Sequence, residues 1–322
     1  MLVSIIVPAH NEAHSLPGLL TAFLNQDFPQ EHFEVIVIDN CSSDGTTAVA
    51  ESFKSKIANE RGLQITVLQE NSVANSDAAR NKGIDAARGQ YLAFTDGDCL
   101  PAQDWLKMLL ATAQNAQKAQ NEEILVAGKI EFSLPPRPTG AEVYDSMSFL
   151  NHEVTVRDRS MAFTANLLVP KSVAVALGGF PTDTPNVGDG YFSKLCSRHG
   201  FIIRYEPLAI VTHPPRRLRQ LIAKGTRIGR VKGSKGPYSS YQAGNQKSLV
   251  DRISENRRLP HILSLNPFRV RTYLIKRRLH VSSFLCLRTS AAGATIVTCG
   301  MLAYLGAALK TTIPKTRLYK TL

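Results

Sequence analysis

Apolar residues in the first third of the chain fall in short runs, separated by stretches with helical spacing. Val3-Ser-Ile-Ile-Val7 is a β-branched run closed by Pro8, which predicts a buried first strand. Pro8-Ala9-His10-Asn11-Glu12 reads as a tight turn. Ser15 is placed to cap a helix with Pro17 in its first turn and Leu16, Leu19, Leu20, Phe23 and Leu24 on its inner face. Phe33 to Asp39 predicts a second strand that ends on an acid. The turn from Asn40 to Thr46 leads to a helix over 47–57, and Leu63 to Leu68 to a third strand. A helix over 76–87 follows, with small residues on one side and Arg80, Asn81 and Lys82 on the other. Gly89 breaks it before Tyr91-Leu-Ala-Phe94, a fourth short strand.

Strands and helices alternating at this spacing predict a doubly wound α/β fold with a mostly parallel sheet. The turn after the first strand carries no G-x-G-x-x-G, and no Walker lysine loop is present, so neither nucleotide fingerprint applies. The fourth strand runs into Asp96-Gly97-Asp98. In open α/β sheets ligands bind at the C-terminal ends of strands. Two carboxylates one residue apart there suit a hard divalent cation, which takes one or two carboxylates together with substrate phosphates. A solvated turn is the plainer reading of the same three residues.

Further on, Trp105 to Ala113 is an amphipathic helix and Ile124 to Ile130 a strand. A loop with three prolines spans 134–139, and 141–160 reads as a helix plus a crossing segment. Ala162 to Val169 predicts a strand interrupted by Asn166. Lys171 to Leu177 predicts a helix ended by Gly178-Gly179. A helix over 191–199 and two short strands, 201–205 and 208–212, lead to His213.

Composition adds two constraints. The 5 cysteines are scattered among 322 residues without a C-x-x-C pair, which suits a reducing compartment rather than a zinc or disulfide framework. The opening Met1-Leu2-Val3-Ser4 has no basic region, so no signal peptide is expected. The net charge of +12 is uneven: residues 1–203 carry 15 Lys/Arg against 23 Asp/Glu, and residues 204–288 carry 19 against 3. So basic a region attracts anionic surfaces. With few aromatics interleaved and no nucleic-acid motif, an anionic membrane is the expected partner, and nucleic acid is not. Residues 289–309 lack charge and have the length of a spanning or re-entrant helix. They precede a basic tail, 310–322, and the region 216–288 is expected to form a basic helical extension.

Five segments in register resemble family 2 glycosyltransferases of the GT-A fold. They are Val3 to Glu12; Val37-Ile38-Asp39 with Ser42 to Thr46; Ala79 to Gly83 through Ala87-Arg88-Gly89; Asp96-Gly97-Asp98; and Gly178-Gly179-Phe180 followed by Gly188-Asp189. The resemblance covers about residues 1–215. It departs at Gly188, where the family usually has Glu. It implies a Rossmann-like, mostly parallel sheet flanked by helices. It also implies an inverting transfer from a UDP- or GDP-sugar to a saccharide or lipid-linked hydroxyl acceptor, in cell-surface polysaccharide or glycolipid synthesis at the cytoplasmic membrane face.

On this resemblance Asp98 binds a divalent metal (Mn²⁺ or Mg²⁺), and Asp96 sits between metal and donor ribose. Pro8, Ala9, Asn11, Glu12 and Asp39 line the nucleotide pocket, and Asp189 is the general base. Arg80 and Asn81 face the diphosphate, although a surface position on their helix is the commoner case. His213 is a further metal ligand or a phosphate contact, or else structural. Arg230, with Arg227, closes over the diphosphate or faces lipid. The alternative is a non-catalytic nucleotide-sugar-binding scaffold, for which Gly188 is the support. A nucleotidyltransferase would need a basic Gly-rich loop after the first strand, which Pro8 to Glu12 lacks.

Overall fold

The computed structural model of the chain describes residues 2–57, 62–182, 188–233, 270, 288–292, 294–296 and 298–299. They form two compact units. The first comprises residues 1–132 and 150–214, the second 133–149 and 215–322.

The first unit begins β1 (Val3–Ala9), α1 (Leu16–Leu24), β2 (Phe33–Asp39), α2 (Thr46–Ile57), β3 (Gln64–Gln69), α3 (Ser76–Ala86) and β4 (Tyr91–Phe94). A two-residue strand β5 (Leu100–Pro101), α4 (Trp105–Gln120) and β6 (Ile124–Phe132) come next. The second unit takes α5 (Gly140–Ser148). The first resumes with α6 (His152–Arg159), β7 (Leu167–Pro170), α7 (Lys171–Ala176), α8 (Gly188–Arg198) and β8 (Ile202–His213), and α9 (Leu218–Gly233) belongs to the second.

One sheet runs β3-β2-β1-β4-β7-β6-β8-β5. The four strands on the β3 side are mutually parallel, β6 and β8 are parallel, and the β4–β7, β7–β6 and β8–β5 pairs are antiparallel. β1 and β2 are buried at all seven positions, as their continuous Val/Ile runs require when both sheet faces are covered. One face packs on α1 and α4 through Leu16, Leu19, Phe23, Trp105 and Leu109. The other packs on α3, α7 and α8 through Ala79, Val173, Phe180 and Phe192. Buried polar groups pin the strand starts: Ser4 Oγ donates to Glu34 (2.7 Å), and the Arg88 Nε–H donates to the same carboxylate (2.9 Å).

Several boundaries differ from the sequence expectation. Pro8 does not close β1. It pairs with Ile38 inside the strand, which runs on to Ala9. Ser15 does not cap α1: its backbone is already α-helical, and its hydroxyl donates to Glu12. Residues 162–166 are not strand, because Thr164–Asn166 forms a 3-10 turn before β7. That turn places Asn166 to accept from Trp105 Nε1 (2.8 Å) and to donate to the Lys129 and Ala209 carbonyls. The two short strands expected near 201–212 are one, β8, with a register shift opposite Gly128/Lys129.

In the second unit Leu221 of α9 is buried with Val143, Tyr144, Val270, Ala292 and Ile296, and the Arg216 amide donates to Asp145 (2.7 Å). Most of the span expected at 289–309 lies outside the described residues. Among those described, no helix is long and apolar enough to cross a membrane.

His152 is a titratable group buried whole in the first unit. Its Nδ1–H donates to the Gly128 carbonyl (2.6 Å), and its Nε2 accepts from the Phe163 amide (2.6 Å). Burial lowers its pKa from 6.5 to about 4. The unfolded chain therefore binds a proton first as pH falls. The contribution to stability is complete above 6.5 and is lost between 6.5 and 4. Urea titrations should show about 2 kcal/mol less stability at pH 5 than at pH 7 from this group. His152→Gln should flatten that slope, and an unchanged slope would contradict the assignment.

Candidate active site

The parallel strands deliver three loops to one edge of the sheet. Ala9 pairs with Asp39 at the ends of β1 and β2, and Ile6 pairs with Phe94 at the end of β4. The loops after β1 and β2 are tied together. His10 Nδ1–H donates to the Asn40 carbonyl (2.7 Å), the Asn11 amide to Ser42 Oγ (2.9 Å) and the Ser43 amide to Asn11 Oδ1 (2.8 Å). Asp44 meets the start of α2: the Thr46 amide donates to its Oδ1 and the Ala13 amide to its Oδ2, both at 3.1 Å. Asn11 is left-handed at φ 59°, a conformation that Asn tolerates and that turns the chain out of β1.

Asp39 is buried at the end of β2. Its Oδ2 accepts from Thr47 Oγ1 (2.6 Å), and its Oδ1 has no hydrogen-bond partner. A buried carboxylate oxygen left in this state suits a donor N–H or O–H from a ligand. Pro8 and Ala9 are buried in the strand and offer the site backbone rather than side chain. Glu12 lies under the acidic loop. A Cβ on Gly97 would stand 3.0 Å from Glu12 Cγ and press on that side chain. Burial raises the Glu12 carboxyl to about 7, helped by the charges of Asp98, Asp96 and Asp44, while the Ser15 hydroxyl opposes the shift.

The acidic loop is aimed by β5. Leu100 pairs with Thr212 and Pro101 with Val211, antiparallel, so one step back along β5 brings Cys99 beside His213. The ligand atoms of Asp98, Cys99 and His213 lie within 4.8 Å of one another. His213 is buried. Its Nδ1 donates to the Pro214 carbonyl (2.6 Å), which orients the ring so that Nε2 faces Asp98 Oδ1, 3.7 Å away. A carboxylate oxygen and an imidazole nitrogen in this relation fit Mn²⁺ or a similar cation. Cys99 went unnoticed in the sequence. Burial, with Asp96 and Asp98 beside it, pushes its thiol well up, so it is a poor partner for a hard ion.

Asp96 points the other way. Its Oδ1 accepts from Arg80 Nη2 (3.2 Å). Arg80 is not the surface arginine expected on its helix; its side chain is only 7% exposed. Nη1 bonds Asp77 Oδ1 at 2.8 Å and stands 3.8 Å from Asp189 Oδ1. Burial opposes its charge, but Asp189, Asp77 and Asp96 more than offset that and raise its pKa. Asp189 lies in the first turn of α8 and accepts from Thr164 Oγ1 (2.8 Å). Burial raises its carboxyl, with Arg80 and Thr164 pulling the other way.

Asn81 stands apart from these groups. Its side chain donates to the Phe180 carbonyl (2.7 Å) and accepts from the Phe180 amide (2.8 Å), clamping the Gly-Gly-Phe turn to α3. Gly178 and Gly179 take the positive φ, 73° and 71°, that this turn needs. Arg230 lies on α9, and its side chain falls outside the described residues; Arg227 on the same helix is exposed.

Residues 4–122 match the family model described as glycosyl transferase family 2. The chain is 35% identical over 228 residues to the glycosyltransferase AglE of Haloferax volcanii, an alignment spanning 71% of this chain and 72% of that protein. It is 34% identical over 107 residues to the poly(ribitol-phosphate) β-N-acetylglucosaminyltransferase TarS of Staphylococcus aureus, which covers 33% of this chain and 18% of TarS. Among solved structures, a mannosyltransferase from Pyrobaculum calidifontis, in complex with GDP-mannose and Mn²⁺, superimposes with a TM-score of 0.59 at 20% identity, over 97% of this chain and 87% of that one. Residues 1–349 of TarS, in complex with UDP-GlcNAc, superimpose with a TM-score of 0.51 at 17% identity, over 96% and 92% of the two chains.

Proposed function

The chain belongs to glycosyltransferase family 2, nucleotide-sugar-dependent transferases, and from that premise we propose that it moves a sugar with inversion from a nucleoside-diphosphate sugar to a hydroxyl acceptor. The observation that carries this reading is the guanidinium of Arg80, within 3.2 Å of Asp96 and 3.8 Å of Asp189. It makes one site of the acidic loop and the acid on α8.

Asp98 and His213 are the residues that would hold a divalent cation, and Asp96 adds its carboxylate on the side towards Arg80. When bound, the cation offsets charge that develops on the leaving diphosphate. Asp39 Oδ1 accepts from the nucleoside, and Asn11 and Glu12 form the rim of that pocket. Asp189 takes the proton of the acceptor hydroxyl. The acceptor oxygen bonds to the anomeric carbon as that carbon's bond to the phosphate oxygen breaks on the opposite face, and the nucleoside diphosphate leaves. Burial moves the Asp189 carboxyl up towards working pH, as a base needs. The relative named for poly(ribitol-phosphate) favours a cell-surface polymer as the acceptor, with a glycolipid as the second candidate. The three groups of a base, a metal pair and a donor acceptor atom favour an active enzyme over a binding scaffold.

A cytoplasmic membrane face is the proposed location. The balance of 19 basic to 3 acidic residues over 204–288 supports it. Arg219 and Arg227 of α9 are exposed and would meet an anionic surface.

In a nucleotide-release assay with UDP-GlcNAc or GDP-mannose and Mn²⁺, chelation should stop wild-type turnover, and Asp98→Ala should do the same. Asp189→Asn should cut transfer ~100-fold or more while calorimetry shows donor binding kept. Full rates for either variant would remove its residue from the proposed role. Full-length protein should float with phosphatidylglycerol vesicles at low salt and come off as salt rises; binding to neutral vesicles alone would contradict the charge argument.

A further inference from the structure

The buried side of the site holds one acid that the proposed reaction does not use. Asp77 sits in the first turn of α3, fully buried, and pairs with Arg80 one turn on. Its helix start is secured separately: the Asn75 side chain accepts from the Asp77 amide (2.8 Å). Asn75 rather than Asp77 supplies that cap. It lies against the first residue of α8, and a Cβ on Gly188 would run into Cγ and both of its oxygens. Gly188 has no unusual φ to explain it; the space occupied by the Asp77 carboxylate does.

We propose that Asp77 and Gly188 are a matched pair, in which the missing side chain at 188 admits the acid from α3, and that Asp77 is the positioning residue that holds Arg80 between Asp96 and Asp189. The proposal rests on the reading of Asp189 as the base. Asp77 fixes Nη1 at 2.8 Å, so the guanidinium plane is set before it reaches Asp96 at 3.2 Å and Asp189 at 3.8 Å. The longer contact at Asp189 leaves that carboxylate held in direction and still available to take a proton. A buried cation whose best partner lies elsewhere aligns the base without neutralising it fully. The same carboxylate faces the positive end of α8, which favours it there. An acid on residue 188 could reach Arg80 from the opposite side, provided position 77 were small.

The test has two arms on the full-length chain. In the first, melting temperatures are measured for Gly188→Ala, Asp77→Ala and the double variant. Gly188→Ala should be strongly destabilising alone and well tolerated beside Asp77→Ala; additive losses would overturn the pairing. In the second, nucleotide release with UDP-GlcNAc or GDP-mannose and Mn²⁺ is followed for Asp77→Asn, Asp77→Ala and Asp77→Ala/Gly188→Glu. Expected are a kcat at least tenfold down for Asp77→Asn with the donor KM within threefold, and recovery of most of that loss in the Ala/Glu swap relative to Asp77→Ala. Wild-type kcat in folded Asp77→Asn, or a folded swap no better than Asp77→Ala, would overturn the positioning role. A wild type that binds no nucleotide sugar would fail the transferase reading while the melting arm still decides the pair.

Discussion

A guanidinium buried among three carboxylates is the constraint on which the site depends. Arg80 cannot be dehydrated alone, and Asp77, Asp96 and Asp189 cannot be gathered alone. The acids come from α3, from the loop after β4 and from α8. Only Asp77 is local to Arg80. The other two arrive by tertiary packing, so the ion cluster draws α8 and the acidic loop towards α3. Removing one partner of such a buried set costs roughly 3–5 kcal/mol, because it strands charge. The Phe180 ring, 5.8 Å from the guanidinium carbon, and the Asn81 clamp on Phe180 close the same region from the Gly-Gly-Phe turn.

The acidic loop is held from its other end by β5, a strand of two residues. Its pairing with β8 brings His213 beside Asp98, although 114 positions of chain separate them. The loop is thus spanned between two anchors, Arg80 at Asp96 and His213 at Asp98, with Gly97 between them seated on Glu12. The two acids of Asp96-Gly97-Asp98 point to different partners, and this division of labour gives the motif its meaning. One acid serves the buried cation of the protein, and the other is the one we propose for a metal ion.

The sheet was legible because buried parallel strands announce themselves as Val/Ile runs, and the acidic loop because it follows one of them. Less legible was whatever depended on a partner far along the chain. Arg80, Asn81 and Lys82 look alike in the sequence, yet the first is buried beside Asp96 and Asp189 and the second is bonded to the Phe180 backbone. β5 is too short to leave a periodicity. Asn166 read as a blemish in a strand, when it is the hub of a polar network under Trp105. Pro8 read as a stop, but the pairing of β1 with β4 ends at Ile6 and Phe94, so no ladder N–H is needed on that side at Pro8. Gly188 read as a loss, and only the position of Asp77 makes it a fit.

Charge is the last element to balance. Glu12, Asp96, Asp98 and Asp189 converge on one edge of the sheet, with Asp77 behind them, and a single arginine is buried among them. The excess negative charge is met in two ways. Arg80 neutralises the side towards α8. Glu12, buried and near Asp98 and Asp96, is raised to about 7 and so carries a proton for much of the time near neutrality. Asp98 faces the imidazole of His213, whose Nε2 stands 3.7 Å from its Oδ1 while Nδ1 is held by Pro214. On the proposed reading a divalent cation between these two groups is the third device, and it acts together with the diphosphate it would neutralise.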